Sequence, residues 1–467
     1  MVYDKRESKN IVHEGSFANI EMQKLFNITP KKPLPDEEEP KKSKKKVAML
    51  ISFLGTSYVG MQMNAKQKTI HSLLEYAIYQ GGFLSPSNFG YPNKYSWSNS
   101  ARTDKGVHAL AQVISCKVEI PIGMALNEVR IGINEHLPKD IKVLDIIKVT
   151  KGFNAKTSRD KVRYQYILPS YILSDPKELC NIFQQCDIPM DRNKFGSLKD
   201  DNDATNDTAA NETDDDNDTK TSKKDDNIFT KEEIKKLQSK LTSYRLPQSK
   251  LDNFQNILQT YKGTHNFHNY TNRKKPGDAS CKRYILSYDV IPTETQISPY
   301  DNSEWIVTQV VGQSFLLHQI RKMISMAIDV CRGSVPNIDI MNISFSKDKV
   351  IRLDLAPSQG LLLEMSYFDG YNDHKVINNV NKLNNSEEKN EEETYEKGTL
   401  SWHVTEDQNG VLTDIQKEIK DFKENFIIDY TMKEESDDGN FIKYIYLHES
   451  KFRYEGFDDV DIVRGSS

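Results

Sequence analysis

Apolar runs and alternations divide the chain into stretches that read as folded and stretches that do not. Residues 47–53, Val-Ala-Met-Leu-Ile-Ser-Phe, form a short apolar run of the kind a buried strand carries. Thr69 stands just ahead of Leu73, Leu74, Ala77 and Ile78, a pattern that predicts an N-capped helix. Residues 112–118 predict a strand, 126–137 a helix and 141–149 another strand. Over 163–169, Arg, Tyr and Ile alternate as in a strand with one polar and one apolar face, with Tyr164 and Tyr166 on a shared face. A charged helix is predicted over 231–246, and strands at 284–291 and 305–311. The clearest helix covers 314–332, where Leu316, Ile320, Met323, Ile324, Ala327, Ile328 and Cys331 share one face. Arg321 sits at the edge of that face, where a guanidinium calls for a carboxylate or phosphate partner. A closing strand at 361–365 and an amphipathic helix at 415–426 follow. No repeat of fixed period is present, yet strands and helices alternate in both halves, which predicts two related α+β domains.

The polar stretches set the boundaries. Residues 1–46 read as a disordered tail, broken by Pro30, Pro33, Pro35 and Pro40 and ending in Lys41-Lys42-Ser43-Lys44-Lys45-Lys46. That lysine run reads as a nuclear-localisation signal or a phosphate-contacting arm. A first domain is expected over 47–160 and a second over 161–371, interrupted near 197–227 by an Asp/Asn/Thr-rich insert. The insert is too polar to offset the entropy of ordering it. Residues 372–400 read as a linker and 401–467 as a C-terminal extension.

Composition sharpens this picture at three points. Of 467 residues 37% are hydrophobic and the mean hydropathy is −0.66, low for compact domains and explained by the polar inserts. The net charge of −5 argues at first against a nucleic-acid partner. Its distribution reverses that: residues 200–226 hold 11 Asp/Glu against 3 Lys, whereas 41–170 hold 20 Lys/Arg against 8 Asp/Glu. Five cysteines without a CxxC pair point to a reducing compartment. No apolar run approaches the roughly 18 to 20 residues of a membrane span. Asp4, Glu7, Glu14 and Glu21 in the N-terminal stretch argue against a secretory or transit peptide. A soluble intracellular protein without a membrane partner is expected.

The candidate chemistry centres on Ser100-Ala101-Arg102-Thr103-Asp104-Lys105-Gly106-Val107-His108-Ala109. One acid stands between two cations on a Gly-terminated turn at the mouth of a strand. A surface ion pair is the bland alternative. The Gly55–Gln62 loop has two glycines but lacks the spacing and the Lys-Ser/Thr of a phosphate-binding loop. His265 and His268 lie three apart with no Cys or Glu at ligand spacing, so no metal site is expected.

The 101–109 block, Ala-Arg-Thr-Asp-Lys-Gly-Val-His-Ala, resembles the signature of the TruA-type tRNA pseudouridine synthases. Further blocks match in order: 55–62, Phe153-Asn154, Arg163-Tyr164-x-Tyr166, 261–270, 312–323 and 356–362. Together they cover about 47–370 apart from the acidic insert. Ala101, His108, Gly60-Met61-Gln62 and the His-Gln-Ile-Arg-Lys-Met of 318–323 are similar to the eukaryotic pseudouridine synthase 1 branch. Residues 174–195 and the start of the 69–74 helix, which lacks the usual Glu-Gly, depart from the pattern. The resemblance implies two ferredoxin-like/RRM-like α+β domains sharing an extended antiparallel sheet, with a central basic cleft and a helical C-terminal extension. It implies Asp104 as catalytic residue, Arg102 flanking the base, Tyr164 stacking on it and Arg321 pairing with the aspartate. Lys105, His108, Arg163 and Lys322 are expected to contact RNA. Neither a cofactor nor a metal is implied. The implied partner is tRNA, with snRNA and mRNA open as further substrates, acted on by a monomer. Nuclear localisation follows from the branch and the lysine run, a mitochondrial or cytoplasmic fraction staying open. The competing reading is a non-catalytic RNA-binding or RNA-folding protein on the same scaffold. A nuclease has no metal cluster or nucleophile–base pair to support it.

Overall fold

The computed structural model describes residues 41–63, 67–188, 228–272, 274–335, 339–375, 399–404 and 411–451. The tail over 1–40, the acidic insert and most of the expected linker lie outside the described residues. The chain runs through β1 (Lys42–Phe53), α1 (Ile70–Gln80), β2 (Ser98–Asn99), β3 (His108–Pro121), α2 (Leu126–Asn134), β4 (Ile141–Lys148), β5 (Lys161–Pro169) and α3 (Pro176–Gln185). Then come α4 (Lys231–Leu241), α5 (Gln248–Gln259), β6 (Gly263–Asn266), β7 (Lys282–Val290), β8 (Gln296–Ile297), β9 (Glu304–Gly312), α6 (Gln319–Arg332) and α7 (Asp339–Phe345). Last are β10 (Leu361–Tyr367), α8 (Asp414–Phe422), α9 (Asp429–Asp438) and α10 (Asn440–Lys451). The helices and a large mixed sheet make the chain α+β, as expected.

The chain divides into two compact units. The first comprises Met1–Gln165, Val310–Ser314 and Ser358–Tyr430. Its strand order is β4-β1-β3-β10-β5, with β2 paired to β3. β1 is antiparallel to β3 and β4, and its apolar run from Val47 to Phe53 is wholly buried. The strand begins at Lys42, five residues ahead of the expected start. β3 extends to Pro121 and offers Lys42–Lys46 backbone partners, so strand pairing outweighs the lack of apolar side chains. Lys46 is buried and its ammonium donates to the Ser96 carbonyl at 2.8 Å. β10 runs parallel to β3 at Leu362↔His108 and Leu363↔Ala109, which makes the expected antiparallel sheet a mixed one. At the head of α1 the Thr69 hydroxyl accepts from Ser72 N–H, and the Ser72 hydroxyl caps Thr69 N–H in return.

The second unit comprises Tyr166–Gln309, Phe315–Pro357 and Thr431–Ser467, with strand order β5-β9-β7-β6. The apolar stripe of α6 is its centre: Met323, Ile324, Ala327 and Ile328 are fully buried. The helix starts at Gln319 and not at 314, because His318 adopts φ +63°. α5 falls outside the sequence expectations; only Phe254, Ile257 and Leu258 mark its inner face. α10 lies within the expected helical C-terminal extension but outside the one helix read there, 415–426, and it buries Phe441, Ile442 and Ile445 completely.

Candidate active site

Asp104 sits on a turn that its neighbours hold from several sides. Val107 N–H donates to the Asp104 carbonyl at 3.2 Å, and Gly106 turns the chain at φ +77°. A Cβ on Gly106 would stand 2.7 Å from Ser358 Oγ. The 55–62 loop presses against the same turn. Met61 N–H donates to the Thr103 carbonyl at 3.2 Å. A Cβ on Gly60 would lie 2.5 Å from that carbonyl oxygen, and one on Gly55 2.0 Å from the Val107 oxygen. At the other end, Gln112 Nε2 donates to the Ala101 carbonyl at 2.8 Å and the Ser100 and Ser366 hydroxyls meet at 2.9 Å. The backbone is thereby fixed while the Asp104 side chain stays partly accessible and Arg102 is exposed.

Tyr164 on β5 is buried. Burial and the Asp104 carboxylate push its hydroxyl up to about 12, against the opposing pull of Arg159. The phenol therefore stays protonated in the field of Asp104, and the first unit brings Asp104, Tyr164 and Arg159 together. Arg159 was not foreseen. It follows a turn with no distinguishing pattern, and only the fold reveals that its guanidinium donates to the Ser100 and Gln313 carbonyls. Tyr166 belongs to the second unit, where it is buried and its hydroxyl donates to the Pro357 carbonyl at 2.8 Å.

The expected RNA contacts divide. Lys105 is half-buried beside Asp104 in sequence. Arg163 is engaged within the first unit: its guanidinium pairs with Glu364 at 2.8 Å and lies over the Tyr367 ring. His108 corrects the expectation of an RNA-contacting residue. It is fully buried, Gly55 N–H donates to its Nδ1 at 2.9 Å, and its Nε2–H donates to the Gln359 carbonyl at 3.1 Å. That pattern needs a neutral ring, and burial lowers its pKa to about 4. His108 is a brace between the 55–62 loop, the Asp104 turn and the entry to β10. A depressed pKa contributes stability that is fully present above the unfolded value of 6.5 and is lost as pH falls through about 4. A shift of this size corresponds to about 3 kcal/mol. His108→Gln should flatten the acid-induced fall in melting temperature between pH 6.5 and 4; an unchanged slope would remove this role.

In the second unit, Arg321 on α6 is buried, and its Nε donates to the Ala356 carbonyl at 2.6 Å. Lys322 beside it is pushed down to about 8 by burial, with Arg352 adding to the shift and Asp354 opposing it. Its ammonium lies 3.4 Å from the Thr271 carbonyl. Among the described residues no group of three or more His, Cys, Asp or Glu could hold a metal ion, and no helix is long and apolar enough to cross a membrane.

A family model described as tRNA pseudouridine synthase matches residues 257–369. A tRNA pseudouridine(27/28) synthase of Saccharomyces cerevisiae is 35% identical over 335 residues, covering 69% of this chain and 84% of the relative. The tRNA pseudouridine synthase 1 of Kluyveromyces lactis is 34% identical over 368 residues, 72% of this chain and 63% of the relative. A pseudouridylate synthase 1 homolog of Mus musculus is 32% identical over 342 residues, 72% of this chain and 64% of the relative. The chain thus spans a little under two thirds of the length of the last two.

Proposed function

We propose, for a chain that belongs to the TruA-type tRNA pseudouridine synthase family, that it isomerises uridines of tRNA to pseudouridine. The observation that carries this reading is the braced turn that presents Asp104 next to a buried, protonated tyrosine. In the reaction the C1′–N1 bond breaks, the uracil turns, C5 bonds to C1′, and the proton leaving C5 is balanced by one gained at N1. No oxidant, reductant or cofactor enters that balance. Asp104 serves by attack on C1′, by attack on C6 or by taking the 2′ proton, and each route needs an ionised carboxylate in fixed geometry. Target uridines lie in helical stems, so the base leaves its stack at a cost of a few kcal/mol. Arg102, exposed at the mouth of the turn, is suited to fill the vacated space or to hold the phosphate. Tyr164 is suited to stack on the turned base, an interaction worth roughly 1 to 3 kcal/mol.

The test is incubation of the purified chain with unmodified tRNA transcripts, followed by pseudouridine mapping. New pseudouridine is expected at discrete stem uridines. Its absence at every uridine would return the chain to the reading of a non-catalytic RNA-binding protein. Tyr164→Phe separates the ring from its hydroxyl: RNA affinity should change less than about threefold, while the single-turnover rate falls roughly tenfold or more, the worth of a hydrogen bond to a charged partner. An unchanged rate would remove the hydroxyl from the mechanism.

A further inference from the structure

α10 of the C-terminal extension meets α6, the helix that carries Arg321, through three side chains in the same order along both helices. The Tyr444 hydroxyl meets Ser325 Oγ at 2.8 Å, His448 Nε2 meets Asp329 Oδ1 at 2.9 Å, and Arg332 pairs with Glu449 at 2.8 Å. His448 also reaches off the helix: its Nδ1 lies 2.7 Å from Asp354 Oδ2. Asp354 is two residues ahead of Ala356, whose carbonyl accepts from Arg321 Nε, and Asp329 is eight residues beyond Arg321 on α6. One buried imidazole thus ties together the helix that carries the guanidinium and the turn that holds it.

We propose that His448 is a positioning residue for Arg321, fixing the spacing between α6 and the 354–356 turn and with it the direction of the guanidinium. This rests on the reading that Arg321 serves the isomerisation. The chemistry of the site supports a doubly donating imidazolium. Burial alone would depress the ring, but Asp329 and Asp354 outweigh it and hold its pKa at about 10. Burial also opposes ionisation of Asp354, which His448, the Leu355 N–H and then Arg352 overcome. Without His448, Asp354 keeps Arg352 and Lys322 as charged neighbours but loses its tie to α10. The turn at 354–356, whose Ala356 carbonyl accepts from Arg321, would lose that restraint.

The experiment is a double-mutant cycle on the full chain, read as single-turnover pseudouridine formation at saturating tRNA, with RNA affinity and melting temperature measured alongside. His448→Ala and His448→Gln are both made, so that one soluble variant suffices. Either should slow the chemical step about tenfold or more with affinity held within about twofold. In an Arg321→Ala background the same change should add less than about twofold, because the interaction it acts through is gone. Ser325→Ala loosens the same helix pair at Tyr444 without touching Asp354, so it should lower the melting temperature and leave the rate unchanged. Factors that multiply independently in the cycle would overturn the proposal, as would a rate loss in Ser325→Ala equal to that in His448→Ala. Full activity of Arg321→Ala would instead overturn the role given to Arg321, a separate result read from a separate variant.

Discussion

Asp104→Asn is expected to abolish pseudouridine formation while leaving the fold and RNA binding in place. The two side chains have nearly the same shape, so the change removes charge and nucleophilicity and little else. The backbone of the turn is held by bonds from Met61 and Val107 and by the close approach of Gly55 and Gly60. Melting temperature should therefore move by no more than a degree or two, in keeping with a surface change of about 0.5 kcal/mol or less. Loss of a positioned acid–base group alone costs about 10² to 10⁴ in rate, and loss of a nucleophile costs more. Single-turnover mapping should thus find a rate lower by at least about 10³. Full activity in Asp104→Asn would place the chemistry elsewhere.

The second large effect is steric. Gly55 needs no unusual backbone angle, but an alanine there would put Cβ 2.0 Å from the Val107 oxygen and 2.6 Å from its carbon. Both atoms are backbone, so no side chain can swing away. Either the end of β1 withdraws, breaking the Gly55–His108 hydrogen bond, or the Asp104 turn is displaced. Overpacking of this severity should cost roughly 2 to 4 kcal/mol. A shift of about 1 Å in the turn should lower the rate by about 100-fold or more. Gly152→Ala is the control, since nothing lies within 4 Å of the Cβ it would add. Denaturant unfolding and single-turnover rates of the two variants should differ in both respects; equal behaviour would mean that the 55–62 loop does not brace the site.

Local chemistry made part of this legible in advance. The Arg-Thr-Asp-Lys-Gly turn announced itself because an acid between two cations is a poor core element. The stripe of α6 was visible because its spacing is helical over many residues. What escaped was decided by partners distant in sequence. Lys42–Lys46 gave no sign of being strand, because the reason is the length of β3. Read as the end of a disordered tail, they have paired backbone, and the Lys46 ammonium donates to the Ser96 carbonyl. His108 next to a reactive turn invited an RNA contact, and only the approach of Gly55 and Gln359 shows that both ring nitrogens are taken up internally. The early start predicted for α6 failed at one residue, His318, whose positive φ no periodicity could reveal. Arg159 lay in ordinary polar surroundings and His448 at the end of an apolar run, Ile445-Tyr446-Leu447, and the partners of both come from other elements.

The parallel seam between β3 and β10 also dictates when, during synthesis, the Asp104 turn can first be fully supported. His108 precedes its partner Leu362 by 254 residues, and Gln359, which His108 reaches across the seam, is made almost as late. At about 5 to 20 residues per second, the Asp104 turn waits on the order of 10 to 50 s on the ribosome before this support arrives. Arg102, Asp104, Tyr164 and Arg321 are all made before residue 358, yet a nascent chain ending there has no β10 to hold the turn. A nascent chain therefore lacks this support at the Asp104 turn until translation has passed the seam.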